Sequence, residues 1–394
     1  MVDGEELDMN FDIDDGEVEE ASQEDGFKDV GKVRMDGSEH FLELDAARFS
    51  AVLKLFNKIA MTSGDILSRS VRMEPGVSSV KFKATDSLCY AEASLPAKSS
   101  GFDKAITFEV TSVMKIASLK ANKFYFLQEE DEIFADFFAG KIYVPTTPID
   151  PNEFECDFGK ALKDTVVDKE ELRGVLSAHK GIVSRVEVPE LSYIFLEEGG
   201  VFSSDSVIAS KVNMDIKGKV VLRQRDVDLL INFIELVRSE DKEFKIKVTS
   251  DRIKFICGDY WIVVPQVNAE FSEQYRRSLE IVNIEDYFYI DVKSLSSLIK
   301  VLKSMPQDSG VLTLRTVEEA LYAEAKTRKE KTSAFVLSTS VEGSPKEFSS
   351  KIGLSVLARA ISLFASDASV KFAMDGKAVY FFNDTKTQVI LLQR

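Results

Sequence analysis

Two histidines, His40 and His179, are all that 394 residues contain. The side chain most used as a general base or metal ligand near neutral pH is therefore scarce, and His-based catalysis has little material. Three cysteines (Cys89, Cys156, Cys257) at unrelated spacings form neither a disulfide framework nor a CxxC pair. That fits a reducing compartment. No apolar run approaches the ~20 residues of a membrane-spanning helix, and the N-terminus lacks the apolar stretch of a signal peptide. GxGxxG, Walker-type, HExxH and GxSxG sequences are also missing. Acid runs such as Glu129-Glu130-Asp131 fall at expected hairpin tips, where solvated turn acids are the ordinary case. No catalytic constellation stands out, so neither enzyme activity nor a cofactor or metal is expected. What is left is a soluble, cytoplasmic chain with 44% apolar residues, enough for several cores.

The formal charge of −16 is unevenly spread. Residues 1–40 hold 15 acids and 3 bases, leaving 51 acids against 47 bases in the rest. Segment 1–38 lacks periodicity and reads as a disordered acidic tail. Within it, Glu6-Leu7-Asp8-Met9-Asn10-Phe11 places Met9 and Phe11 at a spacing that chance often supplies.

The body repeats. Asp45-Ala-Ala-Arg-Phe49, Asp168-Lys-Glu-Glu-Leu172 and Asp291-Val-Lys-Ser-Leu295 begin 123 residues apart. Each aspartate follows a short extended run and precedes apolar residues at helical period. That places it at an N-cap, where a carboxylate accepts from free first-turn N–H groups. About 60 residues on, each copy shows a second extended run and helix, near Ser112–Leu119, Asp226–Val237 and Val356–Phe364. Alternating runs with Gly, Asp and Asn between them then predict antiparallel hairpins. The expected fold is α+β: three repeated domains (39–155, 156–276, 277–394), each a doubled strand–helix–multistrand unit.

The first helix of each copy sorts its residues by face. Phe49, Val52, Leu53, Phe56 and Ile59 form a core stripe in copy one, and Leu295, Leu298, Ile299, Leu302 and Met305 in copy three. The opposite faces carry Lys54 and Lys58, or Lys293 and Lys300, among small residues and no acid. Such a face suits phosphates reached through water. Copy two is only weakly basic there, with Glu170 beside Arg173. His179 occupies the position of Phe56 and is expected to be a packed core histidine.

Certain segments resemble the bacterial-type DNA sliding clamp, the beta subunit of replicative DNA polymerase. They are Ala84-Thr85-Asp86-Ser87-Leu88 and its counterpart Ser203-Ser204-Asp205-Ser206-Val207, then Phe271-Ser-Glu-Gln-Tyr275-Arg276-Arg277, and the terminal Val389-Ile390-Leu391-Leu392-Gln393-Arg394. With the triple repeat they cover about 41–394. The resemblance implies a ring of two head-to-tail protomers around duplex DNA, bound without regard to sequence. It would tether DNA polymerase and take a clamp loader and repair proteins as partners. It points to Lys54, Lys58, Arg69, Lys115, Arg173, Lys180, Lys300, Lys303 and Arg359 as the DNA-facing bases. For a partner-peptide pocket it points to Val207, Ile208, Ser272, Tyr275, Arg276, Ser278, Val389, Leu391 and Leu392, with Ser or Gln where the family has Pro, an aliphatic or Met. The tail motif Glu6–Phe11 approximates the family's partner peptide. Phe138, Ile142 and Leu302 are the expected dimer contacts. Two rivals stand beside this reading: a scaffold using the same fold without DNA, and an acid-site nuclease, for which clustered carboxylates are missing.

Overall fold

A computed structural model describes residues 40–60, 65–119, 122–137, 140–183, 188–280, 284–304, 307–327, 332–374 and 377–392. The acidic segment 1–38, with Glu6–Phe11, lies outside them, as do Phe138 and Met305.

The first repeat comprises β1 (Phe41–Asp45), α1 (Ala46–Ala60), β2 (Ser70–Pro75), β3 (Ser79–Thr85), β4 (Tyr90–Ser100), β5 (Ile106–Glu109), α2 (Val110–Ser118), β6 (Lys123–Glu129), β7 (Glu132–Phe137) and β8 (Gly140–Tyr143). The second runs β9 (Lys163–Val167), α3 (Lys169–Lys180), α4 (Pro189–Ser192), β10 (Tyr193–Glu197), β11 (Gly200–Ser204), β12 (Ile208–Val212), β13 (Val220–Arg223), α5 (Gln224–Leu236), β14 (Phe244–Val248), β15 (Arg252–Cys257) and β16 (Tyr260–Pro265). A connecting helix α6 (Glu273–Leu279) leads to β17 (Tyr287–Asp291), α7 (Val292–Ser304), β18 (Gln307–Val317), β19 (Ala320–Thr327), β20 (Thr332–Ser338), β21 (Val341–Glu342), β22 (Ser349–Gly353), α8 (Leu354–Ser362), β23 (Ser369–Met374), β24 (Ala378–Phe382) and β25 (Lys386–Leu391). The boundary expected between 276 and 277 falls inside α6.

The three aspartates cap as their position predicts. Arg48 N–H donates to Asp45 at 2.8 Å, Glu171 N–H to Asp168 at 2.7 Å and Ser294 N–H to Asp291 at 2.6 Å. The bonds from Ser294 hold the Asp291 carboxyl below the usual carboxylate range. Behind these caps the core stripes are buried: Phe49, Val52, Leu53 and Ile59 are fully covered. Phe49 packs against Phe82, Phe124 and Phe126 with centroids 4.9 to 5.7 Å apart, so Phe49→Ala would cost about 3–5 kcal/mol. His179 is fully buried, as its place on the stripe predicts.

Two sheets run from one repeat into the next. The first has the order β8-β7-β6-β1-β4-β16-β15-β14-β9, with β3, β2 and β5 branching from β4. The second has the order β13-β10-β11-β12-β25-β24-β23-β17-β21. The internal junctions are therefore β4·β16 and β12·β25, joining the fourth strand of one repeat to the last strand of the following one. In a third sheet, β20-β19-β18-β22, the fourth strand β20 stands at the edge, as does β8, the last strand of the first repeat. The long helices pack on the sheets and on each other: α1 on α2 and, across the first junction, on α5; α3 on α5; α7 on α8.

Candidate functional site

In the first two repeats the fourth strand is entered through a tight turn that an aspartate ties. Asp86 Oδ1 accepts from the N–H groups of Leu88 (3.1 Å) and Cys89 (2.6 Å), and Asp205 Oδ1 from those of Val207 (3.0 Å) and Ile208 (2.6 Å). Ser87 and Ser206 take φ of 70° and 73°, the left-handed region that such short turns need. Each carboxylate's second oxygen receives an arginine from the second helix of the next repeat. Arg225 of α5 pairs with Asp86, and Arg359 of α8 with Asp205. The Asp side chains are 3% and 5% exposed, so each latch is a charge-assisted bond shielded on its acid side. Arg359, expected to face DNA, is thus engaged at a junction. Arg225 was not legible as its counterpart, because only the folded chain brings it to Asp86.

Helices α1, α2, α7 and α8 carry eight bases (Arg48, Lys54, Lys58, Lys115, Lys293, Lys300, Lys303, Arg359) and no acid. Lys54, Lys58, Lys115, Lys293, Lys300 and Lys303 are exposed, opposite the buried stripes. None of the six has an ion-pair partner among the described residues. Arg69 is exposed too, and its carbonyl accepts from Val110 N–H at 2.9 Å, which sets it at the start of α2. The middle helices differ. Helices α3 and α5 hold five acids: Glu170, Glu171, Asp226, Asp228 and Glu235. Arg173 pairs with Glu235 and, at 3.9 Å, with Glu170, while Lys180 pairs with Asp228. Arg238 adds bonds to Glu170 (3.1 Å) and Glu235 (3.9 Å). Arg173 and Lys180, expected to face DNA, are thus each paired with an acid on α5. At the first junction, Lys58, Lys180, Arg225, Asp228, Leu229 and Asn232 line a cleft of about 310 Å³.

On the other side of the second junction, α6 and its flanks cover the sheet. Phe195, Phe202, Ala209, Val221, Phe271, Leu279, Ala378 and Val389 form a small cluster, with Tyr275 and Leu391 partly buried against it. Arg276 lies over Phe202 and Phe271, 4.8 and 5.7 Å from the ring centroids, and pairs with Glu197. Ser278 Oγ donates to its own helix at Tyr275 O (2.7 Å), and the Ser272 carbonyl accepts from Arg276 N–H (3.0 Å).

The nine expected pocket residues do not form one surface. Ile208, fully buried, sits in the main core on the opposite face, with Val207 and Leu392 packed against that core. The reason is the two-residue period of a strand: Ala209 and Val389 face α6, so their neighbours Ile208 and Ile390 cannot. Leu302 also needs correction as a dimer contact. It is 2% exposed, at the stripe position shared with Phe56 and His179. Ile142, on the edge strand β8, is 38% exposed. Among the described residues no group of three or more His, Cys, Asp or Glu is placed to hold a metal ion, and no helix is long and apolar enough to cross a membrane.

Threefold repetition, sheets continuous across junctions and helices packed on those sheets define an architecture that solved structures share. DNA polymerase III subunit beta from Pseudomonas aeruginosa is similar with a TM-score of 0.75 at 14% identity, over 90% of this chain and 100% of that one. The Caulobacter crescentus beta sliding clamp (0.75, 12%, 90% and 99%) and the Borrelia burgdorferi subunit beta (0.75, 13%, 90% and 98%) are alike to the same degree. No protein-family model matches the sequence, and no curated protein does. The chain has the fold of the DNA polymerase III beta sliding clamps, in a divergent sequence.

Proposed function

We propose that this protein is a DNA sliding clamp: two protomers close head to tail around duplex DNA and tether the replicative polymerase. The observation that carries the reading is the acid-free surface of α1, α2, α7 and α8, in a protein that is acidic as a whole. Mobile, sequence-independent attachment needs diffuse lysines that meet phosphates without fixed geometry. The cluster under α6, with Tyr275, Arg276, Val389 and Leu391, is the favoured docking place for peptides of the polymerase, clamp loader and repair proteins. The reading assigns 1–38 to a tail and 39–155, 156–276 and 277–394 to three domains of a non-enzymatic, cytoplasmic factor.

The repeat itself supports ring closure. Fourth strands pair with last strands at both internal junctions, and β20 and β8 are the remaining fourth and last strands. Open edges invite pairing. Ala91 opposes Ile262 at the first junction and Ser210 opposes Gln388 at the second. Carried to β20 and β8, that register puts Phe335 opposite Ile142 of a second copy, and Ala334 opposite Tyr143. Val301 of α7, 123 residues beyond Ala178 and 246 beyond Leu55, is 47% exposed where Leu55 is 3% exposed. Covering it would contribute about 1 kcal/mol. With Ala334→Cys and Tyr143→Cys in one chain, oxidation should give a covalent dimer that denaturing electrophoresis resolves, and the native mass should be twice 44.0 kDa. A monomeric mass at micromolar concentration, or no disulfide, contradicts the ring.

A further inference from the structure

We infer that the protomer bends at its second internal junction, between the middle and last repeats, and is stiff at its first. The two junctions share their sheet pairing and their Asp–Arg latch. They differ in what lies between sheet and helices. At the first, Phe56 on α1, Ala84 on β3, Ala91 on β4 and Ile262 on β16 form an apolar row, each at most 3% exposed. The same four positions at the second junction hold His179, Ser203, Ser210 and Gln388, all fully buried. His179 Nδ1 bonds Ser203 Oγ at 2.8 Å and Ser210 Oγ at 3.2 Å, and the two hydroxyls lie 2.9 Å apart. His179 Nε2 and both amide atoms of Gln388 have no partner among the described residues. Polar atoms buried this way are satisfied when the layers part and water enters, so separation costs less here than across an apolar row.

The helix layer supplies clearance. At the first junction α1 packs on α5, and Leu55 and Leu229 on those helices are 3% and 4% exposed. The equivalent positions on α3 and α8 are Ala178 and Arg359. A cleft of about 620 Å³ lies there, against about 310 Å³ at the first junction; small residues (Gly174, Ser177, Ala178, Ser362, Ala365, Ser366) make up much of its lining, beside Glu170, Glu171, Val175, Leu363 and Lys386. Close-packed layers resist displacement, and a cleft rich in small side chains permits it. Pairing from Ile208↔Ile390 to Val212↔Lys386 keeps the sheet continuous. The sheet is thus the hinge, and the helices approach or separate. The inference concerns the protomer and holds whether or not it encircles DNA.

Spin labels at equivalent sites test it: Lys54→Cys with Asn232→Cys across the first junction, and Ser177→Cys with Ser362→Cys across the second. A Cys156→Ser background serves, since Cys89 and Cys257 are buried. Electron–electron distance measurements should give a broader distribution across the second junction. Giving that junction the residues of the first (His179→Phe, Ser203→Ala, Ser210→Ala, Gln388→Ile) should narrow it towards the width of the first. Equal widths in the unaltered junctions overturn the proposal, and this comparison stands if the fourfold variant does not fold. A folded variant whose second distribution stays as broad overturns it too.

Discussion

The middle repeat and its two neighbours follow one chain path but present different helix surfaces. Helices of the outer repeats set eight bases against no acid, while α3 and α5 answer Arg173 and Lys180 with Glu170, Glu235 and Asp228. The same helix also holds His179 where the outer repeats hold Phe56 and Leu302. A shared fold therefore does not impose a shared surface. In the proposed ring, the attraction for DNA concentrates where the last repeat of one protomer meets the first repeat of the other, and the middle repeat is nearly silent.

Charge reversal is the strongest way to break this contrast. Lys54→Glu with Lys300→Glu should weaken DNA binding at least about a hundredfold at low salt and flatten its salt dependence, since each lost phosphate contact removes about 0.9 from the slope. The matched reversal Arg173→Glu with Lys180→Glu should change DNA binding far less. Filter binding over a salt series decides, and equal losses in the two variants would erase the distinction.

The core difference gives the next effect. Burial holds His179 neutral, its pKa pushed down to about 3 from 6.5. The unfolded chain takes up that proton below 6.5 and the folded chain does not, so stability falls as pH drops through that value. The loss is about 1.4 kcal/mol per unit, hence about 2 kcal/mol by pH 5. His179→Phe should remove this component, and urea melts at pH 7 and pH 5 measure it. An unchanged pH dependence would show that His179 is not the group responsible.

Unmasking the middle repeat sharpens the comparison most gently. Glu235→Gln with Asp228→Asn frees Arg173 and Lys180 from their nearest acids. DNA affinity should rise a few-fold, the size of effect expected for exposed pairs worth about 0.2–1 kcal/mol each. A fall in affinity would mean that the acids, not the bases, serve binding.

Spacing made the caps and the core stripes legible: three aspartates 123 residues apart foretold three capped helices, and the buried His179 followed from Phe56. Leu302 was legible as core by the same count. Surfaces were harder, because they depend on neighbours from elsewhere in the chain. The acids nearest Arg173 and Lys180 lie on α5, beyond four strands, so a wheel drawn for α3 alone cannot reveal them. The groove divided for a local reason: Ile208 lies in β12, whose successive residues face opposite layers, so it turns away from the face that Ala209 and Val389 share. The Thr-Asp and Ser-Asp steps were visible as motifs, but their junction role appeared only with Arg225 and Arg359.

Retention on DNA of different topology tests the central claim most directly. Protein assembled on a nicked circle and passed through a sizing column at moderate salt should remain with the circle, then be lost when one restriction cut linearises it. Encirclement predicts that loss, because a ring slides off a free end while its surface contacts are unchanged. Equal retention before and after the cut, or none on the circle, would contradict it.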